Sequence, residues 1–186
     1  MLNNRSIRPR TRYLTCVLVG LLLCVAARIE ARADDIKTAG DALQVVLPAT
    51  AAGMTLIYKD GVGALQLGGS AALTLGVTYS LKYTVHETRP DGGSHSFPSG
   101  HTSISFSASE FMRERYGWEY GIPAYVAATF VGYSRVESRR HYTRDVVAGA
   151  AIGTGSSFLF TRPYKGWQVQ LDSETRYYGI KLIRGW

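Results

Sequence analysis

Three short stretches carry the residues able to do chemistry. In the first, KYTVHETRP, Lys82 and Arg89 lie seven residues apart. On a helix that is nearly two turns, so both cations would project from one face toward something negative, with His86 beside them. In the second, FPSGH, Ser99 stands where a loop enters a helix and can cap it, and Gly100 lets a ligand approach the backbone. The free N–H groups at a helix start attract an anion, and His101 would sit beside it in the first turn. In the third, SRVESRRHYTRD, Asp145 follows His141 by four residues. If both occupy an opening helical turn, the carboxylate accepts the imidazole N–H, fixes the tautomer and leaves the other nitrogen free to attack. Arg135 adds a planar fork suited to phosphate oxygens.

Singly, each stretch also reads as ordinary structure: a solvated pair of cations, a capped helix start, an ion pair on a basic loop. Together, the order K-x6-RP, PSGH, SR-x5-H-x3-D resembles the type 2 phosphatidic acid phosphatase (PAP2) superfamily, which includes bacterial non-specific acid phosphatases and vanadium haloperoxidases. The motifs run from residue 82 to residue 145. The resemblance implies an all-α bundle of five to six helices. It implies that Lys82, Arg89 and Arg135 bind phosphoryl oxygens, with Ser99 and the Gly100 backbone donating further hydrogen bonds. His141 would be the nucleophile, Asp145 its orienting partner, and His101 the acid that protonates the leaving alkoxide. The implied enzyme is a phosphatase for phosphomonoesters or diphosphates, plausibly of lipids, working through a phosphohistidine. No metal or other cofactor is expected, and vanadate should act as an inhibitor that mimics phosphate. The alternatives are a vanadium-dependent haloperoxidase, a non-specific acid phosphatase for soluble esters, and a lipid head-group binder without turnover. The cations near His141 oppose a charge on it while Asp145 favours one, and the sequence leaves that balance open.

Helices must position these groups. Residues 36–58 suggest the first helix, with Asp41 as N-cap and Pro48 kinking or splitting it. Residues 62–88 suggest a second, ended by Arg89-Pro90. Further helices are expected over 99–116, stopped by Gly117, over 119–136, and over 142–160. Beyond Pro163 the apolar residues alternate: Trp167, Val169 and Leu171, then Tyr178, Ile180 and Leu182. That pattern predicts a β-hairpin turning at Asp172-Ser173-Glu174. His95 reads as a solvated loop residue that could flank the pocket mouth. Arg139, Arg140 and Arg144 read as a solvated basic loop.

The chain has 186 residues, 46% of them hydrophobic, and a formal charge of +7. This is one domain, neither disordered nor disulfide-stapled. The charge is concentrated at the start. Residues 1–33 hold six arginines and one acid, which leaves the remainder near +2 and gives no basic stripe for nucleic acid. Four of those arginines precede the uncharged stretch 13–27, and Ala31-Arg32-Ala33 follows it. This is the order of a secretory signal, so 1–33 is expected to be a leader and 34–186 the exported domain in the periplasm or envelope. An uncleaved anchor is the alternative. Both cysteines, Cys16 and Cys24, fall inside the leader. Four long uncharged stretches (42–58, 61–81, 120–134, 146–161) are rich in Gly, Ala, Ser and Thr. They fit the buried helices of a soluble bundle with peripheral membrane contact, or the spans of an integral membrane protein.

Overall fold

The structure, a computed structural model, describes residues 33–164, 167–174 and 177–184. Five helices follow one another: α1 (Ala33–Ile57), α2 (Gly61–Thr84), α3 (Gly100–Tyr116), α4 (Trp118–Glu137) and α5 (Thr143–Phe160). A two-stranded antiparallel hairpin follows, β1 (Trp167–Glu174) and β2 (Tyr177–Arg184). Trp167 pairs with Arg184 and Glu174 with Tyr177. The all-α bundle is as expected. The leader assigned to residues 1–33 lies outside the described residues except for Ala33, which opens α1.

Several boundaries differ from the sequence reading, each for a physical reason. α1 runs unbroken through Pro48 and begins at Ala33, so Asp41 is an interior helical residue and not an N-cap. α2 ends at Thr84, with Val85 extended, because the chain must leave the helix before Arg89-Pro90. Arg89 therefore stands on a loop and does not share a helix face with Lys82. β1 continues through Glu174, so Asp172, Ser173 and Glu174 lie in the strand and do not form the expected turn.

α3 is the central helix and packs against all four others. Its two sides differ in chemistry. One side brings Ala108, Phe111 and Met112 against Leu43, Leu47, Ala51 and Met54 of α1 and Ala124, Ala127, Ala128 and Val131 of α4. That cluster is the apolar core. The other side is made of serines. Thr74 and Thr78 of α2 donate to Ser107 and Ser103 of α3, both at 3.0 Å. α5 meets the same serines through glycines. A Cβ at Gly149 would stand 2.6 Å from the Ser99 carbonyl oxygen, and one at Gly153 would stand 2.8 Å from the Ser107 nitrogen. The backbones of α3 and α5 are thus nearly in contact, which only glycine permits.

A buried clamp fixes the end of the bundle away from the motifs. Asp60 caps α2 by accepting from the Gly63 N–H at 2.9 Å. It also accepts from Arg115 Nε and Nη2 at 2.7 and 2.6 Å, and from the Tyr116 hydroxyl at 3.0 Å. Arg115 Nη1 reaches on to the Arg162 carbonyl at 2.7 Å, so one guanidinium joins the ends of α2, α3 and α5. Charged groups this deeply buried need such complete pairing. Gly117, at φ +104°, then turns the chain from α3 into α4.

Two alanine substitutions test the close seam. Gly153→Ala should cost about 1–3 kcal/mol, because its methyl meets backbone that cannot withdraw. Gly155→Ala, two residues on and open, should be neutral or stabilise by up to about 1 kcal/mol through helix propensity. Thermal unfolding of the two variants reads the difference.

Candidate active site

Helix direction builds the site. The N-terminal ends of α1, α3 and α5 and the C-terminal ends of α2 and α4 meet at one end of the bundle. There they enclose a cavity of about 780 Å³. Lys82, Arg89, Gly100, His101, Arg135 and His141 all line it, together with Lys37, Asp41, Gln44, Leu75, Thr78, Tyr79, Ile104 and Arg140. Three separate stretches of chain therefore face one space.

Each cation arrives by a different route. Lys82 stands in the last turn of α2, and its Nζ donates to the His95 carbonyl at 2.9 Å. Arg89 comes from the loop after α2, where its N–H donates to the Gly93 carbonyl at 2.7 Å. Its buried Nε has no protein partner, the state of a donor that awaits an anion. Arg135, in the last turn of α4, is 2% exposed. It donates from Nη1 to Asp41 at 2.7 Å, from Nη2 to the Lys37 carbonyl at 2.8 Å and from Nε to Ser134 Oγ at 3.1 Å. A guanidinium carries five N–H groups, so two remain for a ligand.

Ser99 is the N-cap of α3, and its Oγ accepts from Thr102 Oγ1 at 2.9 Å. It is wholly buried and is not among the residues that line the cavity, whereas Gly100 is. The Ser99 N–H donates to the Asp145 carbonyl at 3.0 Å. That bond ties the start of α3 to the start of α5 and so brings His101 and His141 to the same cavity.

His141 lies just before α5, in the loop that leaves α4, and its N–H donates to the Arg135 carbonyl at 3.1 Å. Its Nδ1 is 3.5 Å from Asp145 Oδ2. This is an ion-pair distance but longer than a good hydrogen bond. The sequence reading had expected both groups inside one helical turn. In fact Asp145 Oδ2 accepts from Ser96 Oγ at 2.5 Å and from the Tyr142 N–H at 3.0 Å. His141 Nδ1 and Asp145 Oδ1 are both buried without a partner. The two groups thus face each other with hydrogen-bonding capacity unused on both sides.

The open question about His141 is answered by burial. Loss of solvent, then the charges of Lys82 and Arg89, push its pKa down to about 4 against the opposing pull of Asp145. The imidazole is therefore neutral, with a free lone pair, across most of the pH range.

Some candidates fall elsewhere. His86 is exposed on the loop, 6.4 Å from the His95 ring, and does not line the cavity. His95, at φ +57°, contributes its carbonyl and sets its ring edge-on to Tyr83. Arg140 and Arg144 are not simply solvated. Arg140 pairs with Asp91 at 3.2 Å and Arg144 with Glu87, and these contacts pin the loop that carries Arg89 to the segment that carries His141. The sequence reading missed Ser96 and the site role of Asp41. Nothing in spacing pointed to Ser96, because its partner Asp145 is 49 residues away.

Residues 63–167 match the PAP2 superfamily. The chain is 33% identical over 138 residues to a lipid A 4′-phosphatase of Helicobacter pylori, covering 68% of this chain and 69% of that one. It is 39% identical over 103 residues to a lipid A 1-phosphatase of Porphyromonas gingivalis, covering 53% of this chain and only 21% of that longer protein. In fold it is similar to the crystal structure of Aquifex aeolicus LpxE, with a TM-score of 0.58 at 19% identity, over 86% of this chain and 98% of that one. It is also similar to a transmembrane PAP2-type phosphatidylglycerolphosphate phosphatase from Bacillus subtilis, with a TM-score of 0.50 at 23% identity, over 80% and 94%.

Two measurements test the site. If His141 must be neutral to act, the acid limb of kcat/KM should lie near pH 4 and not at the ordinary histidine value of 6.5. Lys82→Met removes one of the charges that oppose protonation, so it should move that limb upward while lowering activity. Ser96→Ala leaves Asp145 with one hydrogen bond fewer. It should lower kcat about tenfold with little change in KM, as expected from a charge-assisted bond of about 1.5 kcal/mol.

Proposed function

This chain belongs to the PAP2 superfamily, and from that premise we propose that it is a phosphatase that removes a terminal phosphate from a lipid through a phosphohistidine intermediate. The observation that carries the reading is the convergence of Lys82, Arg89, His101, Arg135 and His141 on one cavity. Phosphoryl transfer asks little covalent chemistry of a protein and much charge stabilisation. The three fixed cations meet that demand around the equatorial oxygens, without a metal or other cofactor. His141 attacks phosphorus, the bond to the leaving oxygen breaks, and His101 gives that oxygen a proton. Water then attacks phosphorus, His101 takes its proton, and the phosphorus–nitrogen bond breaks to release phosphate and free His141. In this scheme vanadate binds as a mimic of the transferring phosphoryl group and inhibits.

The walls of the cavity favour a lipid over a soluble ester. Leu75, Tyr79 and Ile104 line it beside the cations. Leu75 and Tyr79 are also exposed on the outside of α2, so an acyl chain can run from the phosphate along α2 to the surface. That surface is itself apolar. Val45, Val46, Leu56 and Ile57 of α1, Val62 and Leu65 of α2, Ile122 and Val126 of α4, and Val147, Phe158 and Leu159 of α5 all point outward. Meanwhile Ser70, Thr74, Thr78, Ser103 and Ser107 are buried. Apolar residues outside and small polar residues between helices is the packing of a protein solvated by lipid. α1 is long and apolar enough to cross a membrane. Exposed Tyr79, Tyr83, Tyr133 and Tyr142 mark the cavity end and Trp118 the other, as interfacial aromatics do. We therefore read the bundle as seated in a membrane. Peripheral contact with a soluble domain, the setting first favoured by composition, leaves this belt without a solvent.

Orientation follows from charge. Arg5, Arg8, Arg10 and Arg12 precede the apolar stretch 13–27 and hold that end in the cytoplasm. On the leader reading, the chain from residue 33 onward starts on the far side. The cavity lies at the N-terminal end of α1, so it faces the periplasm or outer leaflet.

The deciding experiment measures phosphate release by the purified full chain from a panel of lipid phosphates, lipid diphosphates and water-soluble esters. Turnover should favour lipids. His141→Ala should abolish it, by at least about a thousandfold, while leaving the unfolding temperature unchanged. Equal turnover in that variant would remove the mechanism.

A further inference from the structure

The site holds a second histidine–carboxylate pair, and the mechanism above does not use it. Asp41 Oδ1 lies 3.1 Å from His101 Nε2 and 2.7 Å from Arg135 Nη1. Asp41 lines the same cavity as both. It comes from the interior of α1, and it arrives there because α1 and α4 pass unusually close. A Cβ on the neighbouring Gly40 would stand 2.7 Å from Arg135 Nη2 and from Ser134 Cβ, so a side chain at residue 40 would hold the helices apart. Arg135 Nη2 also donates to the Lys37 carbonyl, one turn before Asp41. The guanidinium thus grips α1 at two points and holds the carboxylate in place. This contact is built into the helix crossing and is not a chance meeting of surface charges.

The placement has a chemical consequence. A cavity that gathers Lys82, Arg89 and Arg135 for phosphate works against a further positive charge on His101. The acid step needs that charge, because an imidazolium must be present to protonate the leaving oxygen. A carboxylate on Nε2 supplies the compensating negative charge and fixes the ring, and Nδ1–H is then the donor left to face the substrate. We infer that Asp41 is a positioning residue for His101 and that it suits the site to phosphomonoesters of alcohols, whose leaving group must be protonated, above esters and anhydrides with good leaving groups. In the step concerned, the phosphorus–oxygen bond breaks and its electron pair stays on the alcohol oxygen. The Nδ1 proton moves to that oxygen, and His101 is left neutral. A phosphate or nitrophenolate leaving group carries its charge unaided and draws little benefit from the pair. A diphosphate also brings its second phosphate toward Asp41, where like charge repels it.

This inference rests on the phosphatase reading and narrows its substrate class. The test compares kcat/KM, which reports the first phosphoryl transfer, for an alkyl phosphate monoester, 4-nitrophenyl phosphate and a lipid diphosphate, in the full chain and in Asp41→Asn. The substitution keeps the shape and removes the charge. The alkyl ester should lose at least about tenfold more than the nitrophenyl ester or the diphosphate, within the range that general acid catalysis commands. Equal losses on all three substrates would assign Asp41 to structure and overturn the inference, and so would no loss on any. A wild-type chain that turns over none of the three would instead sink the phosphatase reading itself.

Discussion

The bond from the Ser99 N–H to the Asp145 carbonyl, 3.0 Å long, is the constraint on which the site depends. It joins the residue just before α3 to the first turn of α5; His101 stands in the first turn of α3, and His141 two residues before α5. For the bond to form, the two helices must approach until their backbones touch. Gly149 and Gly153 permit that on α5, and the serine face of α3 permits it opposite. Neither helix end is positioned by its own local sequence. A capped start such as PSGH holds an anion-binding turn anywhere in a protein. Only the glycine seam sets it opposite a second histidine.

Crowding positive charge at one end of a bundle is costly, and the structure shows how the cost is spread. Arg140 and Arg144 are matched to Asp91 and Glu87 on the loop that bears Arg89. Arg135 is matched to Asp41. Arg89 Nε is left without a partner. Pairing is uneven: Arg135, buried, is matched, whereas Arg89 keeps a buried Nε without a partner. Such an unpaired buried donor gains more from an arriving anion than a paired one would. The clamp of Asp60 with Arg115 at the far end has no such residue of unmet bonding. It is complete, and it holds the helix ends together.

What the sequence disclosed follows the range of the forces involved. Helix stops were legible because proline and glycine act on their own backbone: Gly117 ends α3, and Arg89-Pro90 ends α2 early. The cation and histidine motifs were legible because their residue types are uncommon together. Asp41 was misread because an aspartate near the start of an apolar stretch is most simply a cap, and only the crossing of α1 with α4 turns it toward Arg135, 94 residues away. Ser96 was invisible for the same reason. The setting was the least legible. Ser, Thr and Gly lower the hydropathy of α2, α4 and α5, yet many of them, such as Ser70, Thr74, Thr78, Ser134, Gly149 and Gly153, face inward, while Leu65, Ile122, Val126, Val147 and Phe158 face out. Average hydropathy cannot register which side of a helix is which.

The two histidine–carboxylate pairs differ in a way that matches the opposite jobs given to their histidines. Asp145 is wholly buried, and His141 is 3% exposed. Burial and the nearby cations keep the imidazole neutral; in the proposed mechanism attack makes it positive, and the waiting carboxylate then acquires its full value. Asp41 is nearly half exposed and touches His101 already. That preformed contact gives His101 a compensating negative charge before the substrate arrives. A nucleophile needs a carboxylate whose benefit appears late, and an acid needs one whose benefit is present at the start. Depth in the bundle separates the two: α5 carries its aspartate to the buried contact with α3, while α1 presents its own at the cavity mouth. In the proposed mechanism the same pair of residue types thus serves both ends of one phosphoryl transfer, distinguished by burial and not by chemistry.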